Sequence, residues 1–361
     1  MTEAGTRWTC AGRSDRGAKR KINEDSILLR TDAGVWLAAD GMGGHEAGDV
    51  ASRMVAEAVA RVRTAGKLSE VVDRVEDALV KVNLALREHA ARAFGGRTMG
   101  STVVSLVAND RLGVCLWAGD SRLYRLRDGR LQQLSRDHSE VQELVDRGLL
   151  TEEDAVNHPN SNVITRAVGG VPDLFLDAIL FEIRRGDVFV LCSDGLYNEL
   201  SADEIRGLIG DDLDGSADRL IQATLAKGAR DNVSLVLVRA EVGNGPALVA
   251  GEGDALRRMA REAMSGATTR EQYAYNRRQV LDRYAGDEPL SAADADETQP
   301  GIPVLEPVAP PPRPGPVTSA PVAPSPPAPA GGADSARDLW IGVAAVVVVL
   351  LALGALLAYI W

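Results

Sequence analysis

Acidic residues stand at five points of the sequence where an apolar, strand-like run meets a loop. They are Glu24–Asp25, Asp40, Asp120, Asp194 and Asp231. Each acid alone is typical of a turn or a helix cap, which aspartate favours. If the strand ends converge at one edge of a sheet, the carboxylates meet, and two of them about 4 Å apart repel by roughly 4 kcal/mol at an effective dielectric of about 20. Such a cluster would have to be protonated, separated or neutralised by cations.

The residue types favour neutralisation by a hard cation. Carboxylate oxygens suit Mg²⁺ or Mn²⁺ rather than zinc, and Gly41, directly after Asp40, lets the backbone approach an ion so that its carbonyl can bind it. Other phosphate chemistries lack the residues they need. A P-loop would need a GxxxxGK[ST] sequence, which is absent. A phospho-aspartate enzyme would need a second acid two positions from Asp40, where Ala38 and Met42 stand, and no Ser–His–Asp arrangement is apparent among the four histidines. Metal-assisted hydrolysis, with a metal-bound hydroxide as the nucleophile, remains.

The segments that must position these acids combine short β-branched runs with helix-period stretches. The strand-like runs are "SILL", "VWLAA", "STVVSLVA", "LGVCLWA", "VFVLCS" and "VSLVLVRA". Apolar residues spaced by three and four predict helices over 46–63, 70–94, 139–147, 202–209 and 216–227. Because the strands occur in adjacent pairs and the helices are grouped, the pattern favours an α+β fold with antiparallel sheets over a doubly wound parallel sheet.

Composition divides the chain of 361 residues into four parts. Residues 7–241 are mixed and patterned. Residues 242–299 are polar and charged, and we expect a partly helical extension there, a solvated helix followed by linker. Residues 300–338 are predicted to be a Pro-rich linker, since 13 of the 17 prolines fall between positions 300 and 329 and such a run forms neither helix nor sheet ladder.

Residues 339–361 carry no charge and are predicted to form a transmembrane helix. At about 1.5 Å per residue the helix would span roughly 34 Å, enough for a hydrocarbon core of about 30 Å. Trp340 at one end and Tyr359 and Trp361 at the other fit interfacial aromatic belts. Arg337 is basic on the N-terminal side and the sequence starts without an apolar signal stretch. We therefore expect a single-pass anchor in the inner or plasma membrane with the catalytic part in the cytoplasm.

Charge and cysteine content exclude two classes of function. The formal net charge is −11, so broad electrostatic binding to nucleic acid is not expected. The three cysteines, Cys10, Cys115 and Cys192, are scattered and form no CxxC pair. They indicate neither a disulfide framework nor a thiolate zinc site.

Seven ordered motifs in residues 7–241 resemble the metal-dependent serine/threonine protein phosphatases of type 2C, in particular their bacterial branch. They are "SDRGAKRKINEDS", "LAADGMGGHEAGD", "TMGSTVV", "WAGDSRLYRLRDG", "HSEVQELVDRGLLTEEDAVNHPNSNVITRAVGG", "LCSDGLYNEL" and "GARDNVSLVLV". The resemblance implies an α-β-β-α sandwich of two antiparallel sheets flanked by helices. It also implies a signalling enzyme that hydrolyses phosphoserine and phosphothreonine on phosphorylated proteins, a serine/threonine kinase among them.

The resemblance further implies a binding site for two or three Mn²⁺ or Mg²⁺ ions. Asp40 would bridge two ions, and the Gly41 carbonyl would bind one of them. Asp194 and Asp231 would complete the first site.

The remaining acids and one arginine receive separate roles from the resemblance. Asp25 and Glu24 would serve the other ion, largely through water. Asp120, in "GDS", matches the acid at a third, looser site. Arg20 stands five residues before Asp25, where the family places the arginine that holds the substrate phosphate, and Asn232 would support the neighbouring loop.

One residue departs from the eukaryotic pattern, in which a histidine after the Asp-Gly pair protonates the leaving alcohol. Met42 stands there, and a thioether cannot donate a proton, so a metal-bound water is the expected proton donor.

The alternative function is a catalytically silent phosphoprotein-binding module tethered to the membrane. The intact acids Asp25, Asp40, Asp194 and Asp231 argue against it, because a binding module need not keep every metal ligand.

Overall fold

The computed structural model describes residues 7–43, 47–93, 98–156, 158–243, 245–248, 251 and 253–285. Its strands are β1 (Trp8–Asp15), β2 (Asp25–Arg30), β3 (Val35–Met42), β4 (Gly100–Ser101), β5 (Val103–Ala108), β6 (Leu112–Ala118), β7 (Arg122–Arg127), β8 (Arg130–Gln133), β9 (Asp177–Glu182), β10 (Val188–Cys192) and β11 (Val233–Ala240). Its helices are α1 (Ala47–Ala60), α2 (Leu68–Ala93), α3 (Glu140–Asp146), α4 (Glu152–Val156), α5 (Asp194–Tyr197), α6 (Ala202–Leu208), α7 (Leu213–Ala226), α8 (Ala255–Met264) and α9 (Arg270–Ala285).

The described strands form two sheets, and neighbouring strands pair antiparallel throughout them. One sheet has the order β1-β11-β10-β7-β8, and the other has the order β2-β3-β5-β6-β9 with the short β4 beside β3. Strands that follow each other in the chain pair in β2–β3, β5–β6 and β7–β8. This is the antiparallel α+β arrangement that the adjacent strand-like runs predict, and the structure confirms it.

The two sheets pack face to face, and helices cover their outer faces. Side chains alternate along a strand, so the odd-numbered residues of β3 from Val35 to Ala39 pack with α1 and α2, whereas Trp36 and Ala38 face the other sheet. Trp8 of β1 meets Trp36 edge-on with ring centroids 5.1 Å apart, which joins the sheets. Helices α5, α6 and α7 cover the outer face of the first sheet. The predicted sandwich of two antiparallel sheets between helices is confirmed.

The extension after residue 241 contains two helices that pack on the domain, where the sequence predicted one solvated helix. Helix α8 lies against β9, and α9 lies against α2. Leu256 of α8 and Leu281 of α9 are fully buried in the apolar cluster around α2. Arg277 of α9 is only 1% exposed and is paired with Asp73 and Glu76 of α2. The polar composition concealed this burial because part of the interface is ionic rather than apolar.

The predicted linker at 300–338 and the predicted transmembrane segment at 339–361 lie outside the described residues. Within the part of the chain that the structure describes, no helix is both long enough and apolar enough to cross a bilayer.

Candidate metal centre

Two of the predicted ligands face each other on neighbouring strands. Asp25 begins β2, Asp40 lies near the end of β3, and the two residues are direct register partners. Cβ atoms in such pairs lie about 5 Å apart. Ser193 Oγ donates to Asp25 Oδ2 at 2.7 Å, and the backbone N–H of Asp40 donates to Thr102 Oγ1 at 3.0 Å. Asp25 is buried and accepts a hydrogen bond from a hydroxyl, and Asp40 is partly buried.

The other sheet brings three further acids to its own strand ends. Asp194 is the first residue of α5, two positions after β10, and Asp120 lies two positions before β7. Because Arg122 and Cys192 are register partners in β7 and β10, these two acids lie at the same edge. Asp231 stands two positions before β11, which is the other neighbour of β10.

The hydrogen bond from Ser193, the neighbour of Asp194, to Asp25 joins the acid-bearing strand ends of the two sheets, and the electrostatics of Asp40 agree. Burial raises the pKa of Asp40 well above its usual value, and the charges of Asp25, Asp194, Asp120 and Asp231 raise it further. Burial is also the main cause that raises the pKa of Asp25 to about 7, of Asp194 to about 6 and of Asp120 to about 8. The convergence that the sequence left open is present in the fold.

The acids at these strand ends form what we call the carboxylate cluster: Glu24, Asp25, Asp40, Asp120, Asp194 and Asp231. Several of its buried oxygens have no hydrogen-bond partner in the protein. They are Glu24 Oε1, Asp25 Oδ1, Asp120 Oδ1 and Asp194 Oδ1. Among the described residues, no group of three or more His, Cys, Asp or Glu side chains is arranged to hold an ion by itself. Mg²⁺, however, usually binds through one or two carboxylates and keeps several waters. Buried carboxylate oxygens without a partner are unfavourable unless a cation neutralises them. A set of oxygen donors of this kind fits a hard divalent cation.

Two glycines permit the close backbone contacts within the cluster. A Cβ atom at Gly41 would lie 2.0 Å from the carbonyl oxygen of Gly48, and one at Gly195 would lie 2.0 Å from that of Asn232. The Gly41 N–H also donates to the Glu24 carbonyl at 3.0 Å. The glycine in each Asp-Gly pair is thus required for the acid-bearing segments to approach each other.

The loop that carries Arg20 is fastened to the carboxylate cluster by Asn232. Asn232 Oδ1 accepts from the Glu24 N–H at 2.8 Å, and its Nδ2 donates to two loop carbonyls at 2.8 and 3.0 Å. This is the supporting role that the resemblance implies for Asn232. Arg20 is exposed and its Nη2 donates to Asp231 Oδ2 at 2.5 Å, so the guanidinium lies directly beside the cluster.

A cleft of about 690 Å³ opens beside the cluster, with residues of α3 and α4 among those lining it. Arg122 lines it, with Nε 3.0 Å and Nη2 2.6 Å from the carboxylate oxygens of Asp137. Its guanidinium lies 3.5 Å from the ring centroid of Tyr197. Tyr197 in turn donates its hydroxyl to the Asp120 carbonyl at 2.9 Å, so this side of the cluster is rigidly supported.

Sequence reasoning missed the hydroxyl residues that orient the acids. The Oγ atoms of Thr102 and Ser121 lie 2.7 Å apart, and Thr102 also supports Asp40. Ser193, which donates to Asp25, accepts from the backbone N–H of Ser234 at 3.0 Å. These residues stand inside the motifs quoted above, but serine and threonine are common in turns and strands, so their type alone gave no signal.

Comparison with known proteins relates this chain to phosphatases. The model of the family described as Protein phosphatase 2C matches residues 12–239. The serine/threonine protein phosphatase PstP of Mycobacterium tuberculosis is 38% identical over 229 residues, covering 63% of this chain and 44% of the relative. The serine/threonine phosphatase stp of Listeria monocytogenes is 32% identical over 239 residues, covering 64% of this chain and 95% of the relative. The chain therefore spans less than half the length of the mycobacterial relative.

Solved structures agree with this relationship. PppA of Pseudomonas aeruginosa, described as a key regulatory component of T6SS, is 41% identical with a TM-score of 0.61, covering 64% of this chain and 97% of that chain. The catalytic domain of PstP, solved in complex with two manganese ions, is 35% identical with a TM-score of 0.58 over the same shares. The chain belongs to the protein phosphatase 2C family, the Mn²⁺- or Mg²⁺-dependent serine/threonine protein phosphatases.

Proposed function

We propose that the chain hydrolyses phosphoserine and phosphothreonine side chains of proteins. One observation carries the proposal. Four buried carboxylate oxygens without a protein partner belong to a cluster that borders an open cleft of about 690 Å³. Oxygen clusters of this kind bind hard cations, and a cleft of this size accommodates a phosphorylated side chain with its neighbours.

The proposed binding site holds two divalent cations, Mn²⁺ or Mg²⁺, with a third and weaker ion at Asp120. Its ligands are Glu24, Asp25, Asp40, Asp194, Asp231 and the carbonyl oxygen of Gly41. Asp40 is assigned the bridging position because it faces Asp25 across β2 and β3 and the charges of Asp194, Asp120 and Asp231 also act on it. When bound, the ions would supply an activated water as the nucleophile and would neutralise the phosphoryl oxygens.

Arg20 is proposed to hold the phosphoryl group of the substrate. Its guanidinium is exposed and lies beside the carboxylate cluster, and the fork of N–H groups suits two phosphoryl oxygens at once. The leaving serine or threonine needs a proton, which Met42 cannot supply. We assign that proton to a water molecule in the site.

We further propose that residues 339–361 anchor the chain in the inner or plasma membrane. The catalytic domain would face the cytoplasm, with residues 300–338 as the tether, and its partners would be phosphorylated proteins, a serine/threonine kinase among them. The support is the uncharged stretch with aromatic ends and Arg337 before it. Removal of residues 331–361 should transfer the activity from the membrane fraction to the soluble fraction without loss of turnover; activity that stays with the membranes would contradict the anchor.

The decisive assay is release of phosphate from a phosphothreonine peptide by the purified chain after EDTA treatment. Turnover is expected only when Mn²⁺ or Mg²⁺ is restored, and none is expected from the Asp40→Asn variant. The alternative, a catalytically silent module, predicts peptide binding without phosphate release, and that result would overturn the proposal. The orphaned carboxylate oxygens favour the enzyme, because phosphopeptide binding would not require a cluster of negative charge.

A further inference from the structure

A second cavity, of about 270 Å³, lies between α3, the start of β9 and α8. Five of the residues that line it are arginines: Arg136, Arg147, Arg166, Arg257 and Arg261. We call it the arginine cavity. Two of its arginines belong to α8, which lies outside the residues 12–239 matched by the family model, so the cavity depends on the extension of this chain.

The arginine cavity carries more positive charge than its acids neutralise. Four acids line it: Asp137, Glu143, Asp146 and Asp177. Asp137 is already bound by Arg122, which approaches from the catalytic cleft. Five guanidinium groups therefore share three carboxylates, in a chain whose net charge is −11. A concave surface with surplus positive charge attracts anions.

The contacts of Asp177 show the excess of positive and donor groups over carboxylates. Its Oδ1 accepts from Arg166 Nη1 at 2.6 Å, whereas Arg257 Nε and His138 Nε2 approach its Oδ2 only to 3.5 and 3.4 Å. Both of these nitrogens are buried, and both contacts are longer than an ordinary N–H···O hydrogen bond. Burial lowers the pKa of Arg257 and of His138. One carboxylate therefore does not satisfy the three cationic or polar groups around it.

Arg136 adds a further unsatisfied donor. Its Nη2 pairs with Asp146, but its Nε is buried without a hydrogen-bond partner. Unpaired buried N–H groups are unfavourable, and bonds from guanidinium groups to phosphate oxygens are among the stronger ones in proteins. The cavity of about 270 Å³ leaves space for an anion and some of its water, since one water molecule takes roughly 30 Å³.

We propose that the arginine cavity binds an oxyanion of the phosphate class, held by Arg136, Arg257 and Arg261, and that the anion bridges α3 to α8. The site also borders the catalytic cleft. Gln142 of α3 and Asp137 line both cavities. An anion between α3 and α8 would therefore fix a segment that forms part of the cleft.

The test is calorimetric titration of inorganic phosphate into the purified full chain after removal of metal with EDTA. Without cations the carboxylate cluster repels phosphate, and weaker binding in variants of the arginine cavity assigns the saturable binding to that cavity. Arg257→Gln and Arg261→Gln are each expected to weaken binding by about tenfold or more, because each loses charge-assisted hydrogen bonds. Arg92→Gln is the matched control, since Arg92 is an exposed arginine of α2 that pairs with Glu88, and it should bind phosphate as wild type does.

Absence of saturable phosphate binding by the wild type, or unchanged affinity in both cavity variants, would overturn the proposal. Arg261 is exposed, so Arg261→Gln should fold normally and keeps the test valid if Arg257→Gln does not. A parallel titration with O-phosphoserine separates two sources of the anion. Weaker binding than inorganic phosphate indicates a free anion, and equal or tighter binding indicates a phosphorylated side chain as the occupant.

Discussion

Arg20 and Asp231 form an ion pair beside the carboxylate cluster, with Arg20 Nη2 2.5 Å from Asp231 Oδ2. The arginine assigned to the substrate phosphate therefore contacts an assigned metal ligand. Both side chains are partly exposed, at 48% and 33%, so the pair contributes little to stability. A divalent cation bound by Asp231 would compete with the guanidinium for this carboxylate and would leave Arg20 available to the substrate.

Arg20→Gln is expected to lower kcat/KM by about tenfold to a hundredfold, because a charge-assisted bidentate contact with the phosphoryl group is lost. Arg20→Lys keeps the charge but loses the fork of N–H groups, so its kcat/KM should lie between those of the wild type and of Arg20→Gln. Steady-state kinetics on a phosphothreonine peptide at saturating Mn²⁺ measure both variants. Lys19→Gln changes the exposed neighbouring cation and should behave as wild type. Equal losses at positions 19 and 20 would indicate a general basic patch instead.

Asp40→Asn and Asp194→Asn should each abolish Mn²⁺-dependent turnover while the fold stays intact. Each substitution replaces a charged metal ligand by a neutral amide, which should weaken metal binding. Removing one charge from a cluster of mutually repelling carboxylates should not destabilise the metal-free protein. Peptide turnover and a thermal melt of the metal-free protein check the two parts. Asp203→Asn, at a solvent-exposed position of α6, is the control. Substantial turnover by either cluster variant would mean that the two-ion assignment is wrong.

Stability of the metal-free protein should fall as the pH rises from about 6.5 to 8.5. Burial raises the pKa of Asp25 to about 7 and of Asp120 to about 8, far above the unfolded value near 3.8. In this window the native state binds more protons than the unfolded state, so the free energy of unfolding decreases with pH. His138, whose pKa burial lowers from 6.5, is half protonated in the unfolded state at pH 6.5, so it opposes the decline at the lower end of this window and contributes little above about pH 7.5.

Thermal melts with EDTA and with Mn²⁺ across the same pH range test this effect. The gain in Tm that Mn²⁺ provides should grow with pH, because cations bind the deprotonated carboxylates. An Asp25→Asn variant should show a shallower decline without metal. A metal-free Tm that rises across the window would contradict the raised pKa values.

The sequence predicted those elements whose hydrophobic period is strong. The helix expected over 70–94 is present as α2, because apolar residues spaced by three and four form its buried face. Strands β1 and β9 were not predicted. In β1, "WTCAGRSD" mixes polar and small residues, and only Trp8 and Ala11 are buried. In β9, the first residue is the buried Asp177, which its ion pair with Arg166 stabilises, and hydrophobic patterning cannot anticipate a buried charge.

The candidate site was predictable as a set of residue types but not as a geometry. The acids could be recognised one by one at strand ends, while their convergence depends on pairing between distant strands, such as Arg122 with Cys192. Register of this kind is set by packing across the whole sheet. The supporting hydroxyl groups and the ionic contacts of α9 were missed for the same reason: each depends on a partner far away in the sequence.

Asp120→Asn should raise the Mn²⁺ concentration needed for half-maximal turnover and lower the rate several-fold. Its Oδ1 is buried without a partner, as a ligand of a weak third ion would be in the absence of metal. Its backbone carbonyl still accepts from Tyr197 in the variant, so the turn should persist and Tm should change little. Asp128→Asn, at the β7–β8 turn where φ is 50°, is the control. Superimposable Mn²⁺ titrations with a lowered Tm would reduce Asp120 to a turn residue.

The packed extension gives a prediction about stability rather than turnover. Arg277 is 1% exposed and bonds Glu76 and Asp73 of α2, whereas its neighbour Arg278 is 49% exposed and bonds the same Asp73. Arg277→Ala would leave the buried Glu76 without a counter-charge and should reduce the free energy of unfolding by about 3–5 kcal/mol. Arg278→Ala, the matched control, should cost about 1 kcal/mol or less.

Urea unfolding of both variants, with a double variant, separates an ionic contact from simple loss of packing. Arg277→Met combined with Glu76→Leu removes both buried charges at similar volume and should recover most of the loss, because a buried ion pair can often be replaced by apolar residues without net cost. Equal effects of the two arginine substitutions would mean that α9 is not held in its buried position in solution. A chain ending at residue 241 should then be as stable as one ending at residue 299, whereas the packing of Leu256 and Leu281 in the core predicts that the shorter chain is much less stable.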